Sequence, residues 1–299
     1  MYISNKFLVI LLLSIAIVAI ASFIIYTLAI PKMIRIRVTT TTSLYATGLL
    51  EYLVQQFYKD HPNVKIDFIA VGSGEALRRA ERGDACMVFV HAPSLEKKYI
   101  DRGILEKHRI IAYNYFIIVG PADDPAHIKN STNAVEAFSR IYRAGEEGKA
   151  VFVSRGDNSG THVKELSIWR TAGLDPHGRP WYRESGSGMA QTLVIANEMN
   201  AYTLSDIGTY LKLKVDRKIP NLEILYSNST ELINIYSIYI VSSCKGNERK
   251  YAEEFSRFVY EHQELISDYG VDRYGQPLFY AAKDREDELY KIWQELAKG

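Results

Sequence analysis

The sequence has no excess of either charge. Its 36 Lys and Arg stand against 35 Asp and Glu, a formal net of +1, and no basic block breaks that balance. Nucleic acid is therefore excluded as the natural partner. Cysteine is scarce: Cys86 and Cys244 lie far apart, each in an apolar, strand-like segment. With no CxxC and no Cys/His cluster, a metal centre is excluded, and the two positions are expected to be buried free thiols. No Walker A motif is present, so the chain is not an ATPase. The stretch "VGSGEA" (Val71–Ala76) lacks the second glycine of a nucleophile elbow, "GDNSG" (Gly156–Gly160) has no strand-to-elbow context, and His91, His127, His162 and His177 are scattered. These absences point away from an enzyme and from any cofactor. Internal repeats and low-complexity tracts are missing as well.

What is present begins with one apolar run, Phe7 to Ile30, which carries no charge. As a helix it would extend about 36 Å, enough to cross a ~30 Å hydrocarbon layer. It exceeds a signal-peptide core of ~7–15 residues, and no lipobox cysteine accompanies it. The expectation is one transmembrane helix, with residues 1–32 as an uncleaved membrane anchor. Lys6 before the run and Lys32, Arg35 and Arg37 after it favour a cytoplasmic body, but long domains are translocated regardless of such charges. Asn130 and Asn228 head Asn-x-Ser/Thr sites compatible with an exported body.

From Met33 onward strands and helices alternate. "IRIRV" reads as a strand; Leu49, Leu50, Leu53, Val54 and Phe57 follow at helical spacing. A second strand–helix series runs from about Ala134, and helices around Tyr251–Ser267 and Glu286–Leu296 close the chain. The 299 residues suggest two domains, and the alternation predicts α/β layers with mainly parallel sheets. "IIAYNYFIIVG" (Ile110–Gly120) and "INIYSIYIVSS" (Ile233–Ser243) are longer than an ordinary ~5–6 residue strand. They are expected to cross between two lobes: residues 33–116 and 235–299 forming lobe one, residues 117–234 lobe two. Trp169, Trp181 and Tyr182 are expected in the lobe-two core, and the charged run Lys283–Lys291 on a solvated helix face.

Small hydroxyl and glycine clusters stand where strands give way to helices. They are Thr39–Ser43, "GSG" around Ser73, and "SRGDNSGTHVKEL" with Ser159, Gly160 and Thr161; a weaker one holds Ser187 and Gly188. Helix N-termini offer unpaired N–H groups and the positive end of the dipole, and glycine admits close approach. Any one cluster is an ordinary N-cap; three or four together, drawn from both lobes, point to a shared anion pocket. Arg155, at a strand end before the third cluster, would add a full charge and fork-shaped donors, and Asp157 could orient it or cap the next helix.

In order along the chain, "TTTSLYATGLLEYL", "VGSGEALRRAERGDA", "VFVHAP", "YNYFIIVGPADDPA", "FVSRGDNSGTHVKEL", "WYRESGSGMAQTLVIANE" and "AYTLSDIGTYL" resemble the tungstate-binding proteins of ABC transporters. The resemblance covers Val38–Leu211 closely and the rest loosely. It implies a two-lobed class II periplasmic-binding-protein fold with two crossover strands. It implies a monomeric, non-enzymatic receptor that hands tungstate or molybdate to an ABC permease and its ATPase subunits. The body would stand on the extracellular side of the cell membrane. Ligand contacts are implied at Thr41, Thr42, Ser43, Ser73, Arg155, Ser159, Gly160 and Thr161. Ile207 departs from the family pattern, which has a basic residue after the Asp of "TLSD". A wall of donors only would suit an unprotonated dianion and penalise a protonated phosphate. Sulfate or phosphate reception, or an anchored oxyanion sensor, are the alternatives.

Overall fold

A computed structural model describes residues 11–22, 33–227 and 230–298. Residues 11–22 form a helix, α1, with its apolar side chains exposed. No described helix is long and apolar enough to cross a membrane. The ends of the expected anchor, at 7–10 and 23–30, lie outside the described residues, as does Asn228.

Lobe one begins with β1 (Ile34–Thr41), α2 (Thr42–Thr47) and α3 (Leu49–Phe57). There follow β2 (Val64–Val71), α4 (Ser73–Glu81), β3 (Met87–Val90) and α5 (Pro93–Asp101). β1 lies between β2 and β3, parallel to both. α3 buries the five apolar positions that its spacing marks out, against β1, β3 and Phe255. The 17-residue β4 (Leu105–Pro121) then leaves this lobe. At ~3.3 Å per residue it is about 55 Å long.

Lobe two holds α6 (Ala134–Glu146), β5 (Phe152–Ser154), α7 (Gly160–Thr171) and β6 (Tyr182–Glu184). It continues with α8 (Met189–Glu198), β7 (Thr203–Asp206), α9 (Ile207–Val215) and β8 (Leu222–Tyr226). Its core gathers Trp169, Trp181 and Tyr182 with Phe138 and Phe152, as expected of an aromatic-rich interior.

The chain returns through β9 (Ile233–Val241), α10 (Gly246–Glu261), α11 (Glu264–Asp268), α12 (Val271–Tyr274), β10 (Tyr280–Ala281) and α13 (Glu286–Ala297). The charged run before and into α13 is largely exposed, while Leu289 and Trp293 turn inward.

Three expectations are corrected. First, among the described residues the parallel pairings are those of β1 with β2 and β3, of β5 with β6, and a single bridge between Phe152 and Tyr202. β4 pairs antiparallel with β9, β7, β8 and β10, because a strand that leads out of a lobe lies beside strands that lead back. Second, among the described residues only β4 pairs with strands of both lobes. β4 pairs with β9 over Leu105–Tyr115 and with β7 and β8 over Phe116–Pro121, whereas β9 pairs only with β3 and β4. Third, Cys86 and Cys244 are not free thiols. They form a disulfide with Cα atoms 5.0 Å apart, closing 158 residues of chain. Antiparallel pairing of Met87 with Ile240 brings the residues beyond each strand end together, a contact that local sequence does not announce.

Candidate functional site

β1 ends in the threonine run, and the run does several jobs. Thr41 is the N-cap of α2, its hydroxyl accepting from Leu44 N–H at 3.4 Å. Ser43 Oγ lies 3.3 Å from Thr41 Oγ1 and 3.5 Å from His91 Nε2. Thr39 donates to the Ala76 carbonyl. Thr40 is fully buried, and its hydroxyl has no hydrogen-bond partner. At the start of α4 the N-cap is Gly72, which has no side chain to satisfy the first turn, and the buried Ser73 hydroxyl is also unpartnered. Lobe two packs directly on this helix start: Gly74 N–H donates to the Asn158 carbonyl at 3.3 Å. A Cβ at Gly74 would run into the Asn158 side-chain amide, and that side chain would have to move aside.

The lobe-two wall is built around Arg155, just past β5 and 1% exposed. Its Nη2 donates to Asp157 Oδ2 at 2.5 Å and, across the cleft, to Thr42 Oγ1 at 3.3 Å. Nε donates to the Ser187 carbonyl, and Nη1 is buried without a partner. Asp157 takes the first of the two roles foreseen for it, pairing with Arg155; its other oxygen accepts from Ser159 N–H at 3.1 Å and does not cap the helix. Ser159 then caps α7 through His162 N–H. Burial pulls the Arg155 pKa down while Asp157 and Asp206 push it up. Asp206 is itself buried and caps α9, accepting from Thr209 N–H and Oγ1.

These carboxylates correct the expectation of a wall made of donors alone. Asp157 stands beside Arg155 with its side chain 18% exposed. Both its oxygens are engaged, however, as are both of Asp206. The groups left over can all donate, although the hydroxyls among them can also accept. Among the described residues seven buried side-chain polar atoms lack a partner, and five sit on these walls: Thr40 Oγ1, Ser73 Oγ, Arg155 Nη1, Thr161 Oγ1 and His162 Nε2. His162 Nδ1 accepts from Asn158 N–H, which places the ring proton on Nε2. Buried polar atoms are normally paired, so such a concentration marks where acceptors belong.

Behind Ser43 lies a network that sequence reasoning missed. His91, 3% exposed, holds Nδ1 2.8 Å from Asn234 Oδ1. The Asn234 amide donates to Asn114 Oδ1 and to the Tyr236 hydroxyl, which turns its oxygen toward His91. His91 therefore donates from Nδ1, and Nε2 accepts from Ser43. Burial pushes its pKa down to about 4, so the ring is neutral at physiological pH. Asn114 and Asn234 are cross-strand neighbours of β4 and β9; no local spacing links them to residue 91. Gly160 packs on His91, where a Cβ would fall 2.7 Å from the His91 carbonyl.

The eight positions singled out by sequence thus come together at one interlobe seam, but with unequal roles. Ser73, Arg155 and Thr161 keep unpartnered donors; Thr41 and Ser159 spend their hydroxyls as caps; Thr42 touches Arg155; Ser43 touches His91; and Gly160 supplies close approach. Thr40 and His162 were not singled out. Ile207 opens α9 beside Asp206 and brings no rim charge. A Ser159–His162 nucleophile pair does not form, because the hydroxyl accepts from the His162 main chain and Nδ1 accepts from that of Asn158.

The sequence pattern of the PBP superfamily domain matches residues 31–263. The tungstate-binding protein TupA of Peptoclostridium acidaminophilum is 39% identical over 246 residues, covering 80% of this chain and 83% of that protein. The chain belongs to the tungstate-binding protein family. Among solved structures, that of the tungstate ABC transporter from Geobacter sulfurreducens is 42% identical with a TM-score of 0.69, covering 79% of this chain and 98% of its own. The tungstate-binding protein TupA from Desulfovibrio alaskensis G20 is 37% identical with a TM-score of 0.68, covering 83% and 98%.

Proposed function

We propose that this chain is a non-enzymatic solute receptor that captures tungstate, with molybdate as the close competitor, and delivers it to the permease and ATPase of an ABC importer. The observation that carries the reading is the set of buried, unpartnered donors drawn from both lobes around one buried arginine. Tungstate and molybdate are tetrahedral dianions that carry no proton at neutral pH. They need acceptors nowhere in the wall and donors everywhere, and the two carboxylates present are already spent on Arg155, Ser159 and Thr209. A protonated phosphate would need an acceptor; both carboxylates are engaged, which leaves it only hydroxyls that serve a dianion as donors. We assign the ligand contacts to Thr42, Ser43, Ser73, Arg155, Gly160 and Thr161, add Thr40, and give Thr41 and Ser159 the supporting role of caps. Lobe closure would shield the anion from water, strengthen each hydrogen bond and change the surface offered to the permease.

The Cys86–Cys244 disulfide favours an oxidising compartment and hence a body outside the cytoplasm. The uncharged run Phe7–Ile30 would tether that body to the membrane.

Isothermal titration of the full chain in detergent micelles with tungstate, molybdate, sulfate and phosphate tests the receptor reading. Tight binding of tungstate or molybdate, with sulfate and phosphate far weaker, is the expected outcome. A folded protein that gives no heat with any of the four would overturn it.

A further inference from the structure

Beside the pocket lies a cavity of about 560 Å³ between the lobes, walled by α5 and α13 of lobe one and α7 of lobe two. Its apolar lining includes Phe116, Ile233 and Leu296. Its charges are unbalanced. Lys97 is paired with Asp101, and Lys298 with Glu295, the one acid of the lining. Lys98, Lys164 and Arg170 line the same cavity, and among the described residues none of the three has an ion pair or a side-chain hydrogen bond. Lys98 and Arg170 are exposed at the rim, whereas Lys164 is half-buried. Burial pulls the Lys164 pKa down, with the Glu231 charge opposing. A partly buried ammonium without a partner costs stability.

The location supplies a reason for it. Lys164 is one helical turn beyond Thr161 on α7, so the two share a face, roughly 5–6 Å apart at Cβ. Gly160 of lobe two and His91 of lobe one, which pack on each other beside Thr161 and Ser43, both line the cavity. That contact joins residues of different lobes. Elsewhere the lobes also meet: Lys212 donates to the Ala46 carbonyl, and Gly188 abuts Thr42.

We propose that this cavity is an entry chamber for the oxyanion, in which Lys98, Lys164 and Arg170 collect the dianion before it passes the Gly160–His91 seam to Arg155. The inference rests on the receptor reading above. The three cations act on arrival: clustered like charges beside low-dielectric walls raise the local concentration of a counter-ion and its rate of capture, and salt weakens them. The closed pocket retains the ligand through its own donors, so the dissociation rate is independent of the chamber.

The test measures association and dissociation of radiolabelled tungstate by rapid filtration, using the full chain in detergent. The wild type is compared with the triple variant Lys98→Glu, Lys164→Glu, Arg170→Glu at low and high ionic strength. The association rate is expected to fall on the order of tenfold at low salt, with the gap narrowing as salt rises, while dissociation changes less than about twofold. Should circular dichroism show the triple variant to be unfolded, the milder pair Lys164→Gln, Arg170→Gln is expected to lose about threefold in association. An association rate unchanged at low salt, or a loss confined to dissociation, overturns the chamber and leaves the receptor intact. A wild type that binds no tungstate overturns the receptor reading, and the chamber falls with it.

Discussion

The two walls of the pocket are built from different chemistry. On the lobe-one side the polar side chains from Thr39 to Ser43, with Ser73 and His91, are all neutral, His91 because burial holds its ring unprotonated. On the lobe-two side stands Arg155, braced by Asp157 and the Ser187 carbonyl, with Asp206 adding a favourable field. Full charge is thus confined to one lobe, held by groups of that same lobe, so it is in place before the lobes meet. The other lobe contributes neutral hydroxyls and a helix start that reach the anion on closure. The division suits a receptor that must first attract a dianion and then test its shape and protonation. Attraction needs no fit, whereas a ring of fixed donors penalises any ligand that brings a proton or the wrong radius.

Removing the charge breaks the comparison most severely. Arg155→Ala is expected to weaken tungstate binding by about 3–4 kcal/mol, a few hundredfold, because it deletes a buried charge and leaves Asp157 facing the anion uncompensated. Arg155→Lys is expected to recover only part of this, since a point charge cannot replace the fork that reaches Asp157, Thr42 and the anion together. Titration calorimetry checks both. Unchanged affinity in Arg155→Ala would mean that lobe two is not the electrostatic anchor.

Neutral donors come next, and here the lobes can be compared one for one. Ser73→Ala in lobe one and Thr161→Val in lobe two each remove one unpartnered hydroxyl, and each is expected to cost about 1.5–2 kcal/mol of affinity, more than tenfold. Thr41→Val removes a hydroxyl that is already spent as a cap. It is expected to lower stability by about 1 kcal/mol in a chemical melt while changing affinity less than threefold. If Thr41→Val weakened binding as much as Ser73→Ala, the split between liganding and capping hydroxyls within the threonine run would be wrong.

How much of this could be read in the sequence follows the range of the interactions. Apolar spacing from Leu49 to Phe57 reports a helix because both period and burial are local, and α3 follows it. Strand-to-helix junctions rich in Ser, Thr and Gly are local too, which is why Ser73, Arg155 and Thr161 could be singled out. The His91–Asn234–Asn114 network joins positions 143 and 120 residues apart, and the disulfide joins positions 158 apart. Both depend on β9 lying between β3 and β4, and nothing in the period or composition of "INIYSIYIV" says which strands it will join. Thr40 was passed over within its own run because spacing cannot tell which hydroxyl will act as the cap.

The finest difference between the walls lies one layer down, where the expected effect on binding is smallest. Behind Arg155, the buried carboxyl of Glu165 accepts from Ser154 Oγ, Trp169 Nε1 and Tyr182 OH, and Ser154 Oγ accepts in turn from Gly156 N–H in the loop that carries Arg155. Burial outweighs those three donors and raises the Glu165 pKa to about 7. In the unfolded chain the group ionises in the ordinary glutamate range, so the folded state holds its proton more tightly. Its stabilising contribution is therefore complete at acid pH and is lost as pH rises through about 7. His91, on the other wall, has the opposite sign: its contribution is complete above the ordinary histidine range and is lost as pH falls toward 4. Glu165→Gln keeps the shape and acceptors for two of the donors but cannot titrate. It is expected to flatten the pH dependence of unfolding between about pH 5 and 7.5 by on the order of 1–3 kcal/mol, with affinity for tungstate at neutral pH changing less than about threefold. Urea melts at several pH values, run beside titrations at pH 7, separate the two readouts. A slope that survives the substitution would remove Glu165 as its source. A large loss of affinity with stability unchanged would show that the ionised carboxylate, and not merely its bulk, sets the position of Arg155.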